Sequence, residues 1–132
     1  MQIVTAALLY NDGKYLLCQR PATDKLSLKW EFPGGKLEDG ETPEQCLIRE
    51  VREELCVDIA IVSHFHDTLY QYGTGKILLK FYLACITGGV MEWNVHHDVR
   101  WVEAERILAY DLLPADIEVV EKLVDHENVL KI

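Results

Sequence analysis

An acidic segment in the first half of the chain carries side chains that bind divalent cations. Seven carboxylates fall within seventeen residues: Glu38, Asp39, Glu41, Glu44, Glu50, Glu53 and Glu54. The run from Lys36 to Glu54 holds only three bases, which are Lys36, Arg49 and Arg52. Carboxylates this dense repel one another, and their oxygens suit Mg²⁺ held together with substrate phosphates. The segment therefore predicts a divalent metal site.

Three of these carboxylates are predicted to share one face of a helix. Glu50, Glu53 and Glu54 stand at i, i+3 and i+4, a spacing that brings side chains together within one helical turn. Like charges at this spacing cost roughly a few tenths of a kcal/mol, so a bound cation would explain them. Arg49 is placed to pair with Glu53 four residues later. The alternative interpretation is a solvated acidic face.

The limits of this helix are readable in the sequence. Thr42 suits the N-cap, Pro43 suits the first helical position and Gln45 completes a capping box. The helix should therefore run from residue 43 to about residue 56. Its opposite side is an apolar stripe of Cys46, Leu47, Ile48, Val51 and Leu55. Burial of that stripe against a sheet would turn the acidic face toward a cleft.

Strand patterns outnumber helix patterns in the rest of the chain. Predicted strands cover residues 3–10, 15–20, 30–32, 57–65, 67–72, 76–86 and 98–102, with turns at 11–14 and 73–75. A short helix is predicted over 103–110. A final amphipathic helix is predicted over 115–123, with Ile117, Val120 and Val124 on its apolar stripe. The pattern indicates one α+β domain, residues 1–132, with helices covering a mixed sheet.

Composition and charge narrow the class of protein. The chain has 132 residues, 49% hydrophobic and 27% charged, which fits one globular domain. A formal net charge of −9 argues against binding to duplex DNA or to an anionic membrane. The four cysteines lack C-x-x-C spacing, and we see neither a basic leader nor an apolar run near the roughly 20 residues of a membrane span. We therefore expect a cytoplasmic protein with isolated thiols, either a monomer or a homodimer.

The acidic helix belongs to a longer motif. Gly35, five residues, Glu41, seven residues and then the run 49–57 (REVREELCV) closely resemble the box of the Nudix hydrolases, G-x5-E-x7-R-E-U-x-E-E-x-G-U. Every charged position matches. Cys56 is the one departure, because the family has glycine at this position. A left-handed conformation at a helix end is easiest for glycine. The resemblance extends to the MutT-like branch, which hydrolyses nucleoside triphosphates, through Arg20, the run 30–36 (WEFPGGK) and the run 113–116 (LPAD).

This resemblance implies a fold and a reaction. The fold would be the Nudix fold, an α/β/α sandwich around a mixed β-sheet. The reaction would be Mg²⁺-dependent attack of water on a phosphoanhydride, with Mn²⁺ as an alternative ion, giving a nucleoside monophosphate and pyrophosphate. Oxidised dGTP and (d)CTP would be the leading nucleoside triphosphate substrates, in nucleotide-pool sanitation. Two alternatives stay open, which are another nucleoside diphosphate-linked substrate and a nucleotide-binding module with weak turnover.

The resemblance also implies roles for individual residues. The metal ligands would be the Gly34 carbonyl, Glu50, Glu53 and Glu54, with Glu50 also the candidate base for the attacking water. Glu41 would orient Arg49 within the catalytic group. The substrate contacts would be Arg20, Glu31, Phe32, Lys36 and Asp116. Asp116 would read the base edge, with capping of the last helix as its alternative role, and Lys36 would otherwise be solvated.

One position departs from the pattern of the branch. A further carboxylate often lies six residues before the tryptophan of the late strand, but six before Trp101 is Val95. His96, His97 or Asp98 could replace it as ligand or base. The favoured interpretation is that these are surface residues near a turn.

Overall fold

The computed structural model describes residues 1–130, and the side chains of residues 1–128. Its elements in chain order are β1 (Gln2–Asn11), β2 (Lys14–Gln19), β3 (Trp30–Glu31), β4 (Gly34–Lys36), α1 (Pro43–Leu55), β5 (Val57–Tyr72), β6 (Gly75–Gly89), β7 (Asp98–Glu103), α2 (Ala104–Ile107) and α3 (Ile117–Leu130). One turn of 3₁₀ helix, Pro114–Asp116, precedes α3. Among the helices in this part of the chain, none has the length and apolar character to cross a membrane.

The strands of the described chain form a seven-stranded mixed sheet in which β1 and β2 each pair with three other strands. The order is β3-β2-β1-β6-β5, and in addition β4 pairs with β1 and β7 pairs with β2. β1 and β6 run parallel, whereas the other pairs are antiparallel. β1 therefore pairs with β2 near its end, with β4 in its first half and with β6 over most of its length.

Alternate residues of β1 face two different hydrophobic clusters. Ala6 and Leu8 pack in the cluster that includes Val119, Val120 and Leu123 of α3. Ala7 and Leu9 pack in the cluster that includes Leu47, Val51 and Leu55 of α1. The period-two alternation of a strand thus places one helix on each face of the sheet. The predicted α/β/α sandwich is confirmed.

α1 begins and ends where the sequence predicts. The Thr42 side chain accepts a hydrogen bond from the Gln45 N–H, and the Gln45 side chain accepts one from the Thr42 N–H. At the other end Cys56 adopts φ 59° and donates its N–H to the Arg52 carbonyl. This left-handed conformation favours glycine, yet the chain reaches it with a cysteine and the helix end keeps its geometry.

Several predicted boundaries are wrong, and the reasons lie in tertiary contacts. The segments 57–65 and 67–72 form the single strand β5, whose register shifts absorb the irregular pattern. The predicted helix 103–110 stops at Ile107 because the chain turns back to pair with Trp30, which bonds the Asp111 carbonyl and the Leu113 N–H.

The ends of the sheet and of the last helix also differ from prediction. The run 34–36 lies outside the predicted strands but forms β4. α3 starts after a 3₁₀ turn and runs to Leu130 rather than over 115–123. Ile117 is consequently 42% exposed, and Val119 joins Val120 and Leu123 on the buried stripe.

Candidate active site

The acidic face of α1 is not uniformly solvated. The Glu53 side chain is 60% exposed, but those of Glu50 and Glu54 are only 18% and 17% exposed. A solvated acidic face therefore describes Glu53 alone. Two carboxylates of the motif are held in a partly dry environment, where an unpaired charge is costly.

Two glycines of β4 let these carboxylates approach the sheet. A Cβ added at Gly34 would overlap the carbonyl oxygen of Thr5 on β1. A Cβ added at Gly35 would overlap the carboxyl group of Glu50. At Gly34 the obstacle is backbone, so only glycine allows β4 to lie this close to β1, whereas a Cβ at Gly35 would require the Glu50 carboxyl group to move.

Arg49 holds three carboxylates of the motif together. Its Nη2 and Nε donate to the two Glu41 oxygens at 2.7 and 3.1 Å, and its Nη1 donates to Glu50 Oε1 at 2.9 Å and to Glu53 Oε2 at 3.3 Å. Nη2 also donates to the Lys36 carbonyl at 3.2 Å. The Arg49 hydrogen bond, with that of the Glu38 N–H, lowers the pKa of Glu41 to about 2. Arg49 thus fixes Glu41 as a charged anchor and orients Glu50.

A cavity of about 430 Å³ lies beside this cluster, within the usual range of ligand pockets. Seven of the predicted site residues line it: Arg20, Glu31, Phe32, Gly34, Lys36, Glu54 and Asp116. Its lining does not include the other four, which are Glu41, Arg49, Glu50 and Glu53. The structure therefore divides the predicted site into a cavity wall and an Arg49-centred cluster, joined through Gly35 and Glu54.

Glu54 is the carboxylate of this site that most needs a cation. Its Oε2 is buried and has no hydrogen-bond partner in residues 1–128. Burial, followed by the charges of Glu50 and Glu31, raises the pKa of Glu54 to about 8, although the Gly34 N–H acts in the opposite direction. No group of three or more His, Cys, Asp or Glu side chains in the described residues is arranged to hold an ion alone. The donors fit a metal ion whose remaining ligands come from substrate or water.

Arg20 lies at the cavity with its charge already paired. Nη1 donates to Glu31 Oε1 at 2.9 Å and Nη2 donates to Asp24 Oδ2 at 2.7 Å. Nε is buried without a hydrogen-bond partner in the described chain. A phosphate that binds Arg20 would therefore use Nε or compete with two carboxylates, a cost that the sequence does not reveal.

Asp116 is a buried acid in the same cavity. It is 4% exposed, and its Oδ2 lies 3.4 Å from the Phe32 N–H, a weak hydrogen bond. Burial, followed by the charge of Glu31, raises the pKa of Asp116 to about 8. Since the charge of Glu31 also acts on Glu54, Glu31 lies near both acids. The Asp116 carboxyl accepts its hydrogen bond from Phe32 rather than from the first turn of α3, so this contact does not support the alternative role as a helix cap.

Replacing Asp116 by asparagine tests this burial. The raised pKa means that the folded chain holds the Asp116 proton more tightly than the unfolded chain does. The stability that this proton contributes is therefore complete below about pH 4 and is lost progressively as the pH rises to about 8. Asp116→Asn should therefore gain stability over the parent as pH rises through this window, by at most about 1.4 kcal/mol per pH unit. Urea unfolding at several pH values measures the difference in the free energy of unfolding between variant and parent. Asp125→Asn, at an exposed position, is the control. A difference independent of pH would contradict the prediction.

His96 corrects the interpretation of the segment 95–98. Its side chain is only 4% exposed and lines the cavity, whereas His97 is exposed as predicted. His96 Nε2 lies 3.6 Å from Glu31 Oε2 and 4.0 Å from Glu54 Oε2. Val95 lines the cavity too, so the position of the missing acid does face the site. Sequence spacing and hydropathy do not predict which of two adjacent loop histidines is buried. The pairing of β7 with β2 decides this.

A mixed sheet between two helical layers, with helix carboxylates beside a cavity, is the arrangement of a Nudix hydrolase. The family model of the NUDIX domain matches residues 1–123. The chain therefore belongs to the Nudix family of hydrolases. Members of this family generally use a divalent metal ion such as Mg²⁺ and act on nucleotide substrates.

Relatives and solved structures agree with this placement. The chain is 38% identical over 119 residues to the CTP pyrophosphohydrolase of Escherichia coli (strain K12), covering 89% of this chain and 87% of that protein. It is 31% identical over 123 residues to the 8-oxo-dGTP diphosphatase of the same strain, covering 93% and 95%. The solution structure of the E. coli ORF135 protein superposes with a TM-score of 0.86 at 34% identity, covering 95% of this chain and 89% of that one.

Proposed function

We propose that residues 1–132 form one Nudix domain that hydrolyses nucleoside triphosphates to a nucleoside monophosphate and pyrophosphate. The observation that carries the proposal is the placement of Glu54 and Asp116 on one cavity. Glu54 has a buried oxygen without a hydrogen-bond partner in the described residues, which suits a cation, and Asp116 is a buried acid suited to a base edge. Both relatives named above act on nucleoside triphosphates according to their names, so oxidised dGTP and (d)CTP are the substrates to test first.

In this proposal the metal ligands are Glu54, Glu50, Glu53 and the Gly34 carbonyl. When bound, Mg²⁺ or Mn²⁺ would neutralise phosphate charge and lower the pKa of a bound water. The fit rests on Glu54 Oε2, which is buried without a hydrogen-bond partner in the described residues, and on the burial and the nearby charges of Glu50 and Glu31 that raise the Glu54 pKa. With such an ion, a chain of net charge −9 can bind a polyanion.

The residues of the chain supply orientation and proton transfer. Glu50 takes the proton of the attacking water, since Arg49 holds one of its oxygens and burial raises its pKa. Glu41 keeps Arg49 in place. Arg20 and Lys36 contact phosphate oxygens, and Phe32 forms a wall for the base. The Asp116 carboxyl group hydrogen-bonds the base edge.

The proposal is tested with the purified chain and a panel of substrates. Ordinary, oxidised and methylated nucleoside triphosphates and nucleotide sugars are incubated with Mg²⁺, and pyrophosphate is separated from orthophosphate. We expect pyrophosphate from at least one triphosphate, loss of turnover on addition of EDTA and its return with excess Mg²⁺ or Mn²⁺. Turnover of nucleotide sugars alone would favour a diphosphate-linked substrate. Tight nucleotide binding without product would favour the binding module, an alternative that Val95 at the cavity keeps open.

A further inference from the structure

Arg20 is held at the cavity by two carboxylates that differ in how firmly they are fixed. Glu31 belongs to β3, which pairs with β2, whereas Asp24 lies in the loop between these two strands. Both residues line the cavity together with Arg20. An anion that binds the Arg20 guanidinium must therefore compete with at least one of these carboxylates.

Asp24 leaves one donor of the guanidinium unpaired. Its Oδ2 accepts from Arg20 Nη2 at 2.7 Å, but its Oδ1 accepts from the Leu26 N–H at 3.1 Å. Arg20 Nε is buried and has no hydrogen-bond partner in residues 1–128. Nη2 and Nε form one edge of the planar guanidinium, an edge to which one anion can form two parallel hydrogen bonds. Asp24 occupies this edge with a single bond.

A phosphate group can pair both donors of the Nη2–Nε edge. Two phosphate oxygens accept two parallel N–H bonds from arginine, and these charge-assisted bonds are among the strong ones in proteins. Buried donors without a partner are rare in folded proteins. The unpaired Nε of Arg20 therefore favours a second arrangement of the site, in which an anion replaces Asp24 on this edge.

The loop that carries Asp24 can move at low cost. Residues 22, 23 and 25–28 are exposed, and within the described chain no residue of 21–29 belongs to either hydrophobic cluster. Leu28 also adopts a φ of 60°, a left-handed conformation that is unfavourable for leucine. Segments with few buried apolar contacts open most easily. Asp24 can therefore leave Arg20 without disturbing the core, whereas Glu31 is held by its strand.

We propose that Asp24 is a positioning residue, which holds Arg20 before substrate binds and is displaced when a substrate phosphate takes the Nη2–Nε edge. The inference rests on the proposed function, in which Arg20 contacts phosphate oxygens. The contact keeps the guanidinium oriented, and it also makes phosphate binding weaker than Arg20 alone would allow. Since Asp24 returns to Arg20 when the phosphate leaves, the same competition favours product release.

Steady-state kinetics of Asp24→Asn test the proposal with a triphosphate that the substrate panel identifies. KM should fall by about three- to tenfold, because asparagine lacks the charge that competes for Nη2. kcat should stay within about twofold of the parent value, because Asp24 acts through Arg20 and not on the reacting atoms. An unchanged KM would overturn the inference.

Asp111→Asn is the matched control for the change in net charge. Asp111 Oδ1 pairs with Lys29 Nζ at 2.7 Å at the far end of the same loop, and Asp111 is not among the residues that line the cavity. We expect the parent KM in this variant. An equal fall in KM in Asp111→Asn and Asp24→Asn would assign the effect to net charge and overturn the inference.

An Arg20→Gln background separates displacement of Asp24 from simple repulsion between Asp24 and phosphate. Because Asp24 acts through Arg20 in this proposal, Asp24→Asn should change KM by less than about twofold once Arg20 is absent. A fall in KM by the same factor in both backgrounds would show repulsion alone and would overturn the inference.

Isothermal titration calorimetry with inorganic pyrophosphate and Mg²⁺ gives a readout that does not depend on turnover. Asp24→Asn should bind pyrophosphate about three- to tenfold more tightly than the parent or Asp111→Asn. Equal affinities would overturn the inference, and turnover of a triphosphate by the parent would still support the proposed function. Without such turnover the proposed function fails, and the pyrophosphate affinities alone decide the inference. A parent that neither turns over a triphosphate nor binds pyrophosphate would overturn both.

Discussion

Glu54→Gln should lower kcat by about two to four orders of magnitude and at the same time stabilise the metal-free protein. The loss of turnover follows from removing a charge that holds the ion, an interaction of several kcal/mol in the transition state. The gain in stability follows because the buried carboxyl, whose Oε2 has no partner within the described chain, must hold a proton to stay neutral, whereas an amide is neutral at every pH. We expect the gain to be about 1 kcal/mol. A loss of turnover together with a gain in stability distinguishes a carboxylate that serves function from one that supports the fold.

The measurements are kcat with Mg²⁺ and urea unfolding with EDTA. Because the pKa of Glu54 is raised to about 8, the stability gain should grow between about pH 4.5 and pH 8. Glu121→Gln, on the exposed side of α3, is the control for both assays. Glu53→Gln should lose turnover without the stability gain, since its side chain is 60% exposed. Full turnover in either site variant would remove that residue from the ligand set.

Of the substitutions that add a single methyl group at the site, Gly34→Ala should be the most destabilising. The added Cβ overlaps the carbonyl oxygen of Thr5, and a backbone atom inside a sheet cannot move aside as a side chain can. We expect a loss of about 3 kcal/mol or more in the free energy of unfolding. Residual folded protein should also lose turnover, because β4 lies against the Glu50 carboxylate through Gly35.

A second strand glycine separates this effect from the general cost of alanine in a sheet. The nearest atom to a Cβ at Gly88 on β6 belongs to the Asp58 side chain at 3.7 Å, an ordinary contact. Gly88→Ala should therefore change stability by less than about 1 kcal/mol. Urea unfolding of both variants compares them. Equal effects would mean that the close approach of β4 and β1 does not require glycine.

Much of the fold could be predicted because its local rules agree with its tertiary contacts. The Thr42 capping box and the apolar stripe of α1 each define the helix alone, and both are observed. The Asp12-Gly13 turn joins β1 and β2, with positive φ at both residues. The errors arise where another element decides. The predicted helix 103–110 shortens because Trp30 takes its backbone partners from 111–113.

In the site, too, the sequence predicts what local spacing determines and misses what tertiary contacts determine. Motif spacing gives the order of Glu50, Glu53 and Glu54, but their burial depends on β4 and on the loop that brings His96 against Glu54. The predicted role of Arg20 did not anticipate Asp24, because a loop residue four positions away pairs only once the loop has folded. Charges that meet through tertiary structure leave no periodic signal.

The parallel pairing of β1 with β6 has a consequence for how the chain reaches its native state. Gln2 pairs with Ile77 and Leu9 with Ala84, so the partners are 75 residues apart in the chain. Closing so long a loop before its contacts form slows folding. During synthesis the apolar run of β1 emerges long before β6, and it must wait with an unpaired edge. The same strand that organises the sheet is therefore the segment most in need of protection from aggregation on the ribosome.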